Sequence, residues 1–437
     1  MMSSNLPLIQ FNPKLPRLSL GEKAILKLLV EAGKLIAPLY QEQEDQAKRS
    51  KFTKEEIEKA GERDPDILSP YTVLEKVDGK IIATPYHIKY EKYLKPISEK
   101  LNEASKITLS SEFGRFLRLK AKALLDGSYD DAFAAWLKMK PSILDIGIGP
   151  FEHLDDKLFF GKATYQAWVG VIDEEGTKRL NDYKSIVLSV RRKGLMPSER
   201  VDNLNKVIAK VDDVVLFSGL MARLMFVGVN LPMDVNFVQK YGSEVTLFNQ
   251  PNDLRMKEQI IPTFNKIFSK AFKEGYTFED LRRANLRYIA MHELAHSFLY
   301  YNHASQNLKD LFQPIFELAA TILGLRVSGT LLLKDRITNK QLESMIVASL
   351  CRGFHLIEKR EDNKFMANYT LGWAIFINFM LESGALKQAG GMAIPNFMKM
   401  FISLHDLSNM LEHLLSSGTY KEAQAFVKKY GKLTHFP

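Results

Sequence analysis

Five residues in the last third of the chain, His292-Glu293-Leu294-Ala295-His296, have the types and the spacing for metal-assisted hydrolysis. Residues four apart share one face of a helix, so His292 and His296 can offer two imidazoles to a single zinc ion. Glu293 lies about 100° round the helix from His292. From there it can miss the metal and still reach a zinc-activated water as general base. A catalytic zinc needs a third protein ligand and one position left for water. Glu317, twenty-one residues after His296, supplies it. It is the one ionisable residue between Asp310 and Arg326, in a stretch with apolar residues on every side. An unpaired carboxylate buried there would cost several kcal/mol, and ligation removes that cost. The ligand set is therefore His292, His296 and Glu317, with one Zn2+ per chain and Glu293 as catalytic base.

The elements that must position these groups are helices. From about Arg255 onward the apolar spacing is helical almost without break, and Thr277-Phe278-Glu279-Asp280 is a capping signature for the helix leading into the metal motif. The first half is mixed. Apolar spacing predicts a helix over 20–40, with a charged stretch at 41–63 read as loop plus a short exposed helix starting at Thr53. Asp78-Gly79 reads as the turn of a hairpin within 69–84. Helices fit 90–103 and 110–125. The glycine-broken runs 143–150 and 167–172 read as strands, as does 244–248, while 203–211 and 219–227 are ambiguous. No repeat or low-complexity segment is visible.

At 437 residues the chain can bury a large core and form two lobes. Its 46% hydrophobic and 25% charged residues are ordinary for a globular protein. The formal charge of +9 is spread along the chain with no basic stripe, which favours a solvated basic surface over nucleic-acid binding. A single cysteine, Cys351, excludes an internal disulfide framework and suits a reducing compartment. The N-terminal residues lack a basic region followed by an apolar run, and the apolar runs at 311–325 and 370–381 fall short of the roughly 20 residues that span a bilayer. A cytoplasmic protein with no membrane partner is the expectation.

Several ordered blocks resemble the dipeptidyl-peptidase III-like zinc metallopeptidases, in particular their shorter microbial members: Ser69-Pro70-Tyr71-Thr72-Val73, the run from Arg118 to Tyr129, the run from Gly149 to Lys162, Val229-Asn230-Leu231-Pro232, the metal motif, the run from Phe316 to Leu325, and Asn368-Tyr369-Thr370-Leu371 with the run from Leu381 to Ala385. The resemblance covers roughly residues 20–390. It implies a mostly helical α+β protein of two lobes with a wide cleft, one lobe helical and zinc-bearing, the other mixed and containing a small β-barrel-like sheet. The lobes would interleave in sequence: 1–172 with 214–258 in the mixed lobe, 173–213 with 259–437 in the helical catalytic lobe. It also implies an exopeptidase acting on short peptides, whose amino terminus is gripped at Glu152 and Asn230.

This chain departs from the family in places. Animal members have one more residue inside the metal motif. The family's acid before the third ligand is Phe316 here, and its acid four residues after that ligand is Thr321. The tyrosine that polarises the scissile carbonyl aligns with Leu154, a second asparagine with Met233, and the transition-state histidine falls near Lys359. His153, His355 and Lys359, with His303 and Tyr300, are candidate replacements as transition-state stabilisers. Two alternatives to an active peptidase follow: a zinc-binding relative that has lost efficient catalysis and serves as a binding or regulatory protein, and a basic surface-binding protein with a vestigial motif.

Overall fold

Serine and threonine caps mark out the helices of the chain, and the structure, a computed structural model, describes residues 6–49, 52–140, 142–152, 161–191, 206–232, 235–299, 301, 303–361 and 366–432. Ser19, Thr53, Thr277, Thr338 and Thr419 each accept the N–H of the third residue of the following helix, while that residue's side chain returns a bond to the cap backbone. Each such box satisfies donors that a helix end leaves bare. The chain divides into two compact units: Met1–Glu174 with Val211–Phe226 and Leu231–Asp234, and Glu175–Lys210 with Val227–Asn230 and Val235–Pro437.

In the first unit, helices Leu20–Lys34, Ile36–Arg49, Lys54–Gly61, Glu91–Ile107, Ser111–Asp126 and Asp130–Lys138 accompany an antiparallel sheet. Residues 41–49, expected as loop, are helical: Gln43, Glu44 and Ala47 are buried on one face, and Gln43 accepts from Tyr165 N–H at 2.9 Å. Tertiary contacts here outweigh a polar local sequence. The expected hairpin forms between Thr72–Val77 and Lys80–Pro85, with Asp78 and Gly79 at φ 49° and 77°, as a tight turn between right-twisted strands requires.

The sheet places Thr164–Ile172 between Leu144–Glu152 and Ile208–Gly219, with Leu8–Gln10 along the far side of the last. The ambiguous run 219–227 is a short helix, Leu220–Leu224. The barrel implied by the resemblance does not close: among the described residues, Leu144–Glu152 is hydrogen-bonded along one side. Closure requires every strand to be paired twice. Pro150 has no N–H to give, Gly149 sits at φ 137°, and the register shifts between Pro150 and Glu152, so this edge is blunted. The core carries one unusual group. Lys120 is 2% exposed, with its ammonium 4.5, 5.0 and 5.6 Å from the ring centres of Phe133, Phe151 and Tyr129. Burial brings its pKa down to about 7.

The second unit is dominated by helices Phe278–His296, Phe312–Leu333, Asn339–Glu358, Ala367–Glu382, Phe397–Ser417 and Tyr420–Tyr430. Residues 227–230 and 235–258, expected with the mixed lobe, group here, where Glu244–Phe248 and helix Asn249–Arg255 pack against Phe278–His296. Inside the unit Lys210 and Glu244 form a buried ion pair at 2.7 Å. Helix Phe312–Leu333 is apolar all round and lies in the core, as such helices must. With the helical turns before it, Ala304–Leu333 is long and apolar enough by length and composition to cross a membrane, exceeding the run read from sequence, yet 67% of its apolar 18-residue stretch is buried inside the protein.

Candidate metal centre

Two glycines bring three backbones together around His292. A Cβ on Gly324 would stand 2.8 Å from the carbonyl carbon and oxygen of Met291 and 3.0 Å from the amide nitrogen of His292. Only glycine lets helix Phe312–Leu333 approach helix Phe278–His296 this closely. A Cβ on Gly228 would lie 2.9 Å from Ile289 and Leu247 and 3.0 Å from Cγ of Glu293, so the strand Gly228–Leu231 lies against the same helix. Beyond Ala295 the metal helix tightens, with Ser297 N–H bonding back to Leu294 O at 3.2 Å. Asn230 Nδ2 donates to the carbonyl of Glu293 at 3.0 Å. Asn230 Oδ1 is buried without a hydrogen-bond partner.

The three expected ligands converge. Nε2 of His292 lies 3.2 Å from Nε2 of His296, and Oε2 of Glu317 lies 3.4 and 3.6 Å from the two. Zinc bonds of about 2.0–2.2 Å in a tetrahedron put ligand atoms about 3.3–3.6 Å apart, so the donor triangle has the size of one face of a zinc tetrahedron. Two neutral imidazoles and one carboxylate are also a zinc donor set. Oε2 of Glu317 is buried and accepts no well-formed hydrogen bond. His292, His296 and Glu317 form the one group of three or more such side chains with metal-ligand spacing among the described residues.

Glu293 is 8% exposed. Burial raises its pKa, the two histidines offset part of the rise, and Glu317 adds to it. For Glu317 burial also pushes upward, but the two adjacent histidines, His296 foremost, hold it well below the usual carboxylate range. The same surroundings thus move the two neighbouring carboxyls in opposite directions, Glu293 up and Glu317 down.

Around the ligands, Nδ1 of His292 lies 3.1 Å from Thr321 Oγ1, which lies 3.3 Å from the Tyr288 hydroxyl. The ring of Phe316 packs on that of His296 at 4.8 Å. Arg352 is buried and donates to Gln259. Arg352 and Arg255 act electrostatically on each other, and both act on Tyr288. Sequence reasoning missed Tyr288 and this pair. For Arg352 the signal was present: like Glu317, it is a lone charge in an apolar helical run, 344–354.

His355 lies in the last turn of Asn339–Glu358, where burial first, then Arg352, lower its pKa to about 4. Lys359 caps that helix through its N–H to His355 O at 2.9 Å. His303 is an exposed N-cap. Glu152 ends its strand, described as backbone only, and His153 and Tyr300 lie outside the described residues.

No known family's sequence profile matches the chain. Among curated proteins, Nudix hydrolase 3 of Arabidopsis thaliana is 24% identical over 370 residues, covering 82% of this chain and 46% of that protein, so the chain spans less than half the length of the curated relative it matches. Among solved structures, dipeptidyl-peptidase III from Caldithrix abyssi superposes with a TM-score of 0.82 at 19% identity, over 98% of this chain and 94% of that one. The dipeptidyl-peptidase III of Corallococcus sp. strain EGB gives 0.82 at 21% identity, over 97% and 90%. With its HExxH helix and its mixed sheet, the chain has the fold of the dipeptidyl-peptidase III structures.

Proposed function

We propose that this chain is a zinc-dependent peptidase of the dipeptidyl-peptidase III family that removes short fragments from the amino terminus of small peptides. The observation that carries the reading is the donor triangle of His292, His296 and Glu317, whose 3.2–3.6 Å edges suit zinc, with the buried Glu293 beside it. A divalent zinc held there supplies Lewis-acid polarisation of a peptide carbonyl and lowers the pKa of water. Glu293, its carboxylate destabilised by burial, accepts the proton of the attacking water and returns it to the leaving amine. Asn230 has one amide hydrogen bond committed to the Glu293 carbonyl and its Oδ1 left to accept an N–H from the substrate. Glu152 pairs with the α-ammonium. His153, His355 and Lys359 are the groups assigned to stabilise charge on the scissile carbonyl. The hydrolase activity named for the Arabidopsis relative is not carried across, since the match covers less than half of that protein.

Metal analysis together with a peptide-library digest tests this. One zinc per chain and hydrolysis are expected, and Glu293→Gln should keep the zinc while slowing turnover by about 10²–10⁴-fold. Protein prepared without chelator that lacks stoichiometric zinc would refute it. One observation favours a second reading, a zinc-binding relative with weakened catalysis: the neutral Thr321 and Phe316 beside the two histidines. Zinc present with no hydrolysis across a diverse library would establish that reading.

A further inference from the structure

We propose that Thr321 and Tyr288 form a charge-neutral relay that orients His292 and makes the zinc at this site readily exchangeable, an inference that rests on the zinc-peptidase reading above. Nε2 of His292 faces His296 and Glu317, so this nitrogen must present its lone pair to the metal. Nδ1 then carries the proton and donates it to Thr321 Oγ1, 3.1 Å away. The Tyr288 hydroxyl, 3.3 Å from the same oxygen, extends the relay.

Helix geometry builds this arrangement twice. Tyr288 and His292 are four apart on one helix, and Glu317 and Thr321 are four apart on the other, so each helix presents a stacked pair to its neighbour. Tyr288, His292 and Thr321 are 4%, 7% and 5% exposed, so water does not compete for these bonds. A phenol, with an ordinary pKa of about 10, is neutral throughout the physiological range. Among the described residues, no carboxylate bonds to Thr321 or to the Tyr288 hydroxyl.

The charge state sets the metal chemistry. A carboxylate behind a ligating imidazole raises its basicity, and outer partners of this kind are worth about 10–100-fold in metal affinity or activity. A hydroxyl fixes the same tautomer and ring plane without that gain. Thr321 is thus a positioning residue: it selects the nitrogen that binds, and it leaves the ion less tightly held than a carboxylate would.

The test measures zinc affinity by competition with a chromophoric chelator, zinc release to excess chelator, the ligand-field absorption of the cobalt-substituted protein, and melting of the metal-free form. Thr321→Val keeps the shape and removes the acceptor. It should weaken zinc about 10–100-fold and change the cobalt spectrum, while the metal-free protein still unfolds cooperatively, at a somewhat lower temperature because Tyr288 and His292 lose a buried partner. Thr321→Ser should behave as wild type. Thr321→Asp should tighten zinc and slow its release about 10-fold. Equal affinity in wild type and Thr321→Val, or equal losses in Thr321→Val and Thr321→Ser, would overturn the relay. If Thr321→Val does not fold, Thr321→Asp decides, and affinity no tighter than wild type overturns the proposal. A flat Thr321 series on a wild type that holds zinc refutes the relay alone, whereas a wild type without zinc refutes the function beneath it.

Discussion

Replacing Gly324 by alanine adds one carbon at a close approach of the two helices that carry the candidate metal ligands. That carbon would stand 2.8 Å from the carbonyl of Met291, a backbone atom that cannot swing aside as a side chain could. Reaching an ordinary contact of about 3.4 Å requires the helices to separate by about 0.6 Å. His292 and His296 lie on one helix and Glu317 on the other, so the strain falls on the 3.4 and 3.6 Å edges of the donor triangle. Both would stretch to about 4 Å, beyond the tetrahedral edge of about 3.3–3.6 Å. Overpacking of this kind costs about 1–3 kcal/mol, or about 2–10 °C in melting temperature for a unit of this size. Chelator competition should show zinc affinity reduced by at least about 10-fold, comparable with the loss of a supporting partner. Gly329→Ala is the control: on the same helix, with nothing within 4 Å, it should raise stability by about 0.5–1 kcal/mol and leave zinc untouched. If Gly324→Ala binds zinc as tightly as wild type and melts at the same temperature, the reasoning fails.

Further outcomes follow from other residues. Glu317→Gln removes the anionic ligand, so zinc affinity should fall by more than about 100-fold, beyond the range of outer partners. The metal-free protein should also melt below wild type at neutral pH, since the two histidines lose the carboxylate they hold ionised; calorimetry with and without zinc checks both. Lys120 gives a pH signature. Its folded pKa of about 7 lies below the value near 10.4 of an unfolded lysine, so between these pH values the unfolded chain binds the extra proton and stability rises with pH, by up to about 1.4 kcal/mol per unit. Urea unfolding at pH 7 and pH 9 should show Lys120→Met more stable than wild type by a margin that narrows as pH rises, and a margin independent of pH would contradict the burial of an unpaired ammonium.

The convergence of His292, His296 and Glu317 was legible in the sequence because its cause is local. Four-residue spacing puts His292 and His296 on one face whatever the rest of the chain does. The lone charge of Glu317 in an apolar run announces itself through the cost of burying it. The Asp78-Gly79 turn and the threonine caps are local in the same sense, each determined by two to four consecutive residues. What only tertiary structure decided involves residues far apart in the chain. Whether 41–49 would be loop or helix depended on Gln43 meeting Tyr165, 122 positions away. The assignment of Asn230 to the carbonyl of Glu293 and the coupling of Tyr288 to Thr321 required helices and a strand to pack first. The requirement for glycine at 324 arises only from the backbone of the neighbouring helix. Periodicity reports which face of an element is buried, but the partner of that face is settled by close packing of whole elements, where a single methylene is felt.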